Sequence, residues 1–297
     1  MNQPRSVVVT GASRGLGLAT ANRLYQDGWC VVGAMRSPEP GLQRMREVTG
    51  ASTDDPRLLA VRLDLTDADS IKAAAEAIHD AVGVPDAVVH NAGVSAVGFA
   101  EETPAEAWKQ VFGTNVFGPV ALTNELLPSM RAAGRGRIVM VSSQGGMWGM
   151  PSTAAYSAAK SAADRWAEAL AGEISPFGLG VTVLVAGVFD TDIINDRAPD
   201  YPDYRDWDGD FALQHKPLDD RGHQALRLAK DPDVFARALA KSLDRDRAPF
   251  VRRGVGFDAK AVMVANRLMP SRGLFQMVRL AMGQPRQGTL KGTARKS

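Results

Sequence analysis

The sequence predicts an α/β fold: a single doubly wound parallel sheet of about seven strands, with a C-terminal helical extension. Three observations carry this. Short β-branched runs alternate with longer helical stretches along most of the chain, which is the pattern of repeated βαβ units. The strand runs are almost continuously apolar, as strands covered on both faces require. A length of 297 residues, 45% hydrophobic and 23% charged, suits one such domain with an appendage and excludes a disordered or fibrous chain.

Strands are predicted at 6–10, 31–35, 59–63, 86–90, 137–141 and 181–185, with a shorter one at 248–251. Helices at 15–27, 69–82, 104–133, 153–174 and 231–243 connect them. Thr66-Asp67-Ala68-Asp69 resembles a capping box, and Pro104 suits a first helical turn. Gly113 and Gly118-Pro119 should bend or interrupt the long third helix. Residues 195–225, Asp-rich and holding Tyr201, Tyr204, Trp207 and Phe211, break the alternation and read as a long loop or lid. Beyond Gly254, Phe257, Ala261, Val264, Ala265 and Leu268 recur at helical spacing, and Pro270 parts them from Leu274, Phe275, Val278 and Met282. Two amphipathic helices follow. The predicted organisation is therefore one doubly wound domain over 1–254, with the loop at 195–225 inside it, and a basic amphipathic extension over 255–297.

Several functions are excluded or disfavoured at this level. No apolar run reaches the roughly 18 to 20 residues of a membrane span, and the N-terminus lacks a signal-peptide pattern. The lone Cys30 supports neither an internal disulfide nor a multi-cysteine metal site, which fits a cytoplasmic protein. Asp206, Asp208 and Asp210 resemble a calcium loop only superficially: Gly209 stands at the wrong offset and Pro217 occupies the place of the closing Glu. No metal is expected. Residues 251–297 hold ten lysines and arginines against Asp258 alone, +9 in a chain of formal charge +2, so the first 250 residues carry −7. Such an end reads as a solvated tail or as a peripheral contact for a membrane surface. No nucleic-acid partner is expected.

Directly after the first strand stands Thr10-Gly11-Ala12-Ser13-Arg14-Gly15-Leu16-Gly17, followed by a helix. Glycines there permit a tight turn and close backbone approach to a pyrophosphate, whose charge the helix N-terminus favours. The end of the second strand should reach the adenosine ribose, where an Asp or Glu would select NAD. This chain has Met35 and then Arg36, with Arg14 in the glycine loop. Two guanidinium groups converging on a 2′-phosphate favour NADP(H).

Tyr156 and Lys160 stand four residues apart, on one face of a predicted helix. An ammonium beside a phenol favours the phenolate and brings the tyrosine toward useful acid-base range. Ser143, thirteen residues before Tyr156 at the end of the fifth strand, adds a hydroxyl at the carboxyl edge of the sheet, where ligands of such folds bind. Ser142 stands directly beside it.

Taken together, 10–17, Asp64, Asn91-Ala92-Gly93, Asn115, Ser143, Tyr156, Lys160 and the turn from Gly187 to Thr191 resemble the short-chain dehydrogenase/reductase family, over residues 6 to about 193. The resemblance implies a Rossmann-like fold and a catalytic tetrad of Asn115, Ser143, Tyr156 and Lys160. It implies cofactor contacts from Gly11, Ser13, Arg14, Gly15, Leu16, Gly17, Arg36, Asp64, Leu65, Asn91, Ala92, Gly93, Tyr156, Lys160, Phe189 and Thr191. Hydride from NADPH would reach a carbonyl carbon while Tyr156 protonates the oxygen, Ser143 orients it, Lys160 holds the ribose and lowers the Tyr156 pKa, and Asn115 binds a relay water. A homodimer or homotetramer is implied as well. Two positions depart from the family pattern: His90 replaces a common Asn, and Ala186 replaces the Pro of the turn after the sixth strand. His90 reads as a strand-end substitution, and the loss of Pro leaves that turn less restrained.

Met147, Trp148, Met150, Phe189, Ile193 and Ile194 could line a broad apolar pocket. With the leaning toward 17β-hydroxysteroid and retinol dehydrogenase-like members, they suggest a steroid-, retinoid- or aryl-ketone-like substrate. The competing class is a catalytically silent NADP-binding regulatory or membrane-surface interaction protein, but the intact tetrad gives it no support.

Overall fold

A computed structural model describes residues 4–191 and 202–290. Seven strands form one parallel sheet in the order β3-β2-β1-β4-β5-β6-β7. They are β1 (Ser6–Thr10), β2 (Cys30–Met35), β3 (Leu58–Arg62), β4 (Ala87–His90), β5 (Arg137–Ser143), β6 (Gly180–Ala186) and β7 (Phe250–Val255). The order reverses between β1 and β4, which opens a crevice at the carboxyl ends of those strands.

The helices are α1 (Gly15–Gln26), α2 (Pro38–Thr49), α3 (Ala68–Val82), α4 (Ala105–Phe112), α5 (Gly118–Ala133), α6 (Ala154–Ile174), α7 (Ala212–Leu226), α8 (Pro232–Arg245), α9 (Phe257–Leu268) and α10 (Ser271–Ala281). Strand periodicity decides which helices cover which face. Val8, Val32, Val88, Ile138 and Val183 pack with α3, α5 and α6. Their alternates Val7, Val9, Val31, Val89 and Val139 pack with Leu24, Met45, Phe235 and Leu239 of α1, α2 and α8. Both faces are dry, so the strands carry little polar sequence.

The differences from the expected elements have local causes. α2 lies in a stretch with no predicted element, where Pro38, Pro40 and Gly41 stand within four residues. Its start and stop nevertheless follow helix rules, with Pro in the first turn and Gly50 in the left-handed region at φ 72°. The cap of α3 is Asp67, whose carboxylate accepts from the Asp69 and Ser70 N–H groups at 3.0 and 3.2 Å, while Thr66 donates to Asp64 instead, at 2.7 Å. The third predicted helix is interrupted by a π-helical turn, Gly113–Phe117. A side chain on Gly118 would overlap the Leu65 carbonyl. β7 runs later than expected, since as an edge strand it tolerates Arg252 and Arg253 beside the acids Glu168 and Asp246.

Part of the expected loop at 195–225 is helical: α7 begins at Ala212 despite Pro217 within it. The segment before it is pinned down. Glu102 accepts from His215 Nε2 at 2.8 Å and from the Asp206 N–H at 3.1 Å, and Phe99 stacks on Phe211. Tyr201 and the remainder of 192–201 lie outside the described residues, as do Ile193 and Ile194. No helix among the described residues is long and apolar enough to cross a membrane.

Candidate active site

The crevice widens into a cavity of about 1150 Å³ lined from the carboxyl ends of β1, β2, β4, β5 and β6. At its floor the glycine loop is held by β4. Thr10 Oγ1 accepts from the N–H groups of Asn91 and Ala92, both at 3.0 Å, and the Asn91 amide donates to the Thr10 carbonyl at 2.9 Å. Gly11 has φ 68°, and a methyl group on it would stand 2.9 Å from Ala92 Cα. A side chain on Gly17 would overlap the Gly11 carbonyl and the Asn91 amide. The loop therefore stays low, and Ser13, Arg14, Gly15 and Leu16 at the start of α1 border the cavity. Gly17 supports the turn without bordering it. This is a cradle of the size and polarity that a dinucleotide pyrophosphate fits.

At one end of the cavity stand Arg36, Ser37, Arg44, Asp64 and Leu65. Arg44 escaped the sequence reading together with α2; the Ser37-Pro38 start and the Gly50 stop were the signal for that helix. The Thr66 hydroxyl, its N–H, and the Arg36 and Arg62 guanidinium groups together hold the Asp64 carboxyl below the usual range, against burial. Asp64 thus stays ionised beside Arg36.

At the other end Ser143, Tyr156 and Lys160 come together. Ser143 ends β5 and is half-buried, whereas Ser142 beside it is buried, with its hydroxyl toward Asp164. Burial pushes the Tyr156 phenol up, and the Ser143 hydroxyl works against that by hydrogen bonding. Lys160 donates to the Val141 carbonyl at 2.9 Å and lies 5.7 Å from the Tyr156 ring centre. Burial lowers it to about 8, with Asp164, one turn further along α6, opposing the shift. The expectation that the ammonium depresses the tyrosine differs from this arrangement, in which burial dominates Tyr156 and the Ser143 hydroxyl supplies the opposing influence.

Asn115 sits in the π-helical turn and is buried. Its Oδ1 accepts from the Val94 N–H at 2.9 Å and its Nδ2 donates to the Val94 carbonyl at 2.8 Å. The side chain thereby fixes the loop after β4. A methyl group on Gly93 would meet Asn115 Oδ1 at 3.3 Å and Lys160 Nζ at 3.5 Å, so the three converge. His90 is buried and neutral, its pKa lowered to about 3, with Nε2 on Thr123 Oγ1 at 2.8 Å and its ring edge-on to Trp166.

After β6 the chain carries Gly187, Phe189 and Thr191 past the same end of the cavity. The Phe189 ring is buried against Phe235 at 5.6 Å, so it belongs to the core more than to an apolar pocket. Met147 packs against the core and does not border the cavity, unlike Trp148 and Met150. Sequence reasoning overlooked Asp258. One carboxylate oxygen accepts from the Val188 N–H and from Gln144 Nε2, both at 2.6 Å, and the other from Lys230 Nζ at 3.3 Å. One acid thus joins α9 to the turn after β6 and to the residue following Ser143. The signal was present, since Asp258 is the lone acid in a basic stretch. The apolar rim is completed from later elements, by Leu218 and Leu226 of α7 and by Met282 after α10.

A phosphate cradle at a topological switch point, joined through one cavity to a Ser, a Tyr and a Lys, defines a nicotinamide-dependent oxidoreductase of the doubly wound class. The chain belongs to the short chain dehydrogenase family, whose pattern matches residues 5–202. It is 34% identical over 195 residues, 66% of this chain and 68% of the relative, to a 3-ketodihydrosphingosine reductase of Bacteroides thetaiotaomicron. It is 36% identical over 222 residues, 72% of this chain and 71% of the relative, to dehydrogenase/reductase SDR family member 7B of Xenopus tropicalis. Among solved structures, a short-chain dehydrogenase from Streptomyces avermitilis superposes with a TM-score of 0.77 at 30% identity, covering 96% of this chain and 99% of that one. The protein is accordingly an oxidoreductase acting between CH–OH and C=O groups.

Proposed function

We propose that the protein is an NADP(H)-dependent reductase of bulky apolar ketones or aldehydes, working reversibly as an alcohol dehydrogenase. The observation that carries this is the polarity of the cavity: three arginines, Arg14, Arg36 and Arg44, border it with no acid at the end of β2, while Ser143, Tyr156 and Lys160 meet across it from apolar side chains. Guanidinium groups at the adenosine end favour a 2′-phosphate. When bound, the cofactor supplies the hydride. Tyr156 gives its proton to the substrate oxygen and Ser143 orients that oxygen. Lys160, lowered to about 8, exchanges protons near neutral pH and returns one toward Tyr156. Asn115 serves by fixing the loop that carries Gly93, beside Lys160.

Val97, Trp148, Met150, Leu218, Leu226 and Met282 border the reaction end and suit a long or polycyclic apolar substrate, of the steroid, retinoid, aryl-ketone or long-chain ketone class. The relative named as a 3-ketodihydrosphingosine reductase points the same way. In this reading residues 1–254 are the catalytic unit of a cytoplasmic homo-oligomer, and the basic segment from 255 onward touches a membrane surface peripherally. The test is a carbonyl panel of these four classes followed by NADPH absorbance, with NADH in parallel. Turnover of at least one class with NADPH preferred supports the reading. A preference for NADH, or binding of NADPH without turnover of any class, overturns it.

A further inference from the structure

The apolar stripe of α9 faces outward. Phe257, Val264 and Leu268 are 82%, 56% and 73% exposed, whereas the residues turned inward are Ala259 and Val262. Spacings of seven and four residues place the three large side chains on one side of the helix. On α10, Phe275 and Leu280 are likewise exposed, at 64% and 62%, and Val278 faces in. Val262 and Met263 pack inward, so α9 turns one apolar side to the core and a second, with Phe257 and Leu268, to the outside, where a helix that serves only the core is polar.

Cations stand on the same two helices. Lys260, Arg267 and Arg272 are exposed and have no acidic partner among the described residues. The one acid of these helices, Asp258, is held by Lys230, Gln144 and Val188. Residues 291–297 add Lys291, Arg295 and Lys296 to this charge. A two-fold contact of this face with itself would set like charges against one another. An anionic bilayer answers both features at once, since its headgroups attract the cations and its acyl boundary accepts Phe, Leu and Val. The end of α10 also borders the cavity, through Ala281 and Met282.

We infer that α9 and α10 form a docking face for anionic lipid and that apolar substrate enters the cavity from the bilayer beside it; the second half of this statement rests on the reductase reading above. Lipid attachment by itself stands independently of the chemistry.

The test uses the full chain and vesicles of phosphatidylcholine alone or with about one third phosphatidylserine, scored by flotation. Wild type should float with the anionic vesicles and leave them as salt rises. The double variant Leu268→Ser/Phe275→Ser, which keeps every charge, should lose at least tenfold in partitioning. Arg267→Gln and Arg272→Gln should each lose about fivefold. Reduction of a water-soluble ketone should remain at the wild-type rate in all of them, while reduction of a ketone dissolved in the vesicles falls in proportion to binding. Absence of wild-type flotation overturns the docking face, and so does undiminished flotation of the double variant. A larger oligomer in wild type than in the double variant, by sedimentation equilibrium, would assign the face to self-association instead and overturn the lipid assignment. Flotation as expected, with no carbonyl reduced in any form, would leave the docking face standing and remove the reductase reading with its substrate route.

Discussion

The chain up to Thr191 and the chain after Pro202 bury apolar residues by different rules. In the first, valines of each strand enter one of two dry layers, and Gly11, Gly17 and Gly118 stand where backbone approaches so closely that any side chain would collide. In the second, α8 packs on the sheet in the same manner, but α7, α9 and α10 leave Leu213, Phe257, Leu268 and Phe275 in solvent. The earlier part is specified by what its own backbone must fit, and the later part by what passes over or against it. The reaction centre nonetheless draws on both, because Asp258 and the α7 rim reach it from the later part.

The sharpest break of that comparison is Tyr156→Phe. It removes the proton donor and keeps the ring, so kcat should fall about a thousandfold with NADPH affinity within about twofold of wild type. Near-normal turnover would mean that the chemistry does not reside in the earlier part.

Lys160→Met should separate stability from function. Lys160 has its pKa lowered by burial to about 8 from 10.5. Below pH 8 both folded and unfolded chains carry the charge, and the folded state bears the full cost of burying it. Between pH 8 and 10.5 only the unfolded chain remains protonated, so stability rises with pH there. The variant should unfold at about 3 kcal/mol higher free energy at pH 7, with the gain shrinking through that window and gone above it, while activity is lost. Denaturant melts at pH 7 and pH 10 check this, and an equal gain at both would remove burial of the charge as its source.

Arg36→Asp tests the adenosine end. Losing a charge-assisted contact and gaining a like charge should lower NADPH affinity about thirtyfold and turn preference toward NADH. Arg44→Ala should lower NADPH affinity only several-fold. Titrations of both cofactors measure each, and unchanged preference in Arg36→Asp would move the phosphate site elsewhere.

Asp258→Ala asks whether the later part reaches the reaction centre. It frees the Val188 N–H and Gln144 together, and kcat/KM should fall about tenfold. Asp258→Asn, which keeps an acceptor for Val188, should fall less. A fall of under twofold in both would show the two parts to be independent.

The smallest effect is expected in hydrogen exchange. Residues 202–226 should exchange more slowly with cofactor and a bulky ketone than with cofactor alone, as a cover that orders on substrate does. Equal protection in every state would make them a fixed wall, held by the Glu102–His215 contact.

What was legible in the sequence follows the same division. Strands buried on both faces announce themselves as apolar runs, the glycine spacing announces a turn because close backbone approach forces that residue type, and the Tyr156–Lys160 pair stands out because its spacing sets a phenol and an ammonium on one helix face. α2 was hidden because prolines that begin a helix look like prolines that break one. α7 was hidden by the acids ahead of it and by Pro217. β7 was misplaced because an edge strand does not need an apolar run. Asp258 was counted as a charge and not read as a contact, for its partners Gln144 and Val188 lie far away in sequence and only the fold brings them together.

Asp258 follows Phe257 directly, so the side chain that would enter a lipid headgroup layer and the one that steadies the turn after β6 share a single peptide unit. By thermodynamic reciprocity, any change in cofactor affinity caused by surface attachment must appear as an equal change in surface affinity caused by cofactor. With such coupling, carried by the first turn of α9 beyond Gly256 at φ 106°, occupancy of the cavity and residence at an interface would each bias the other.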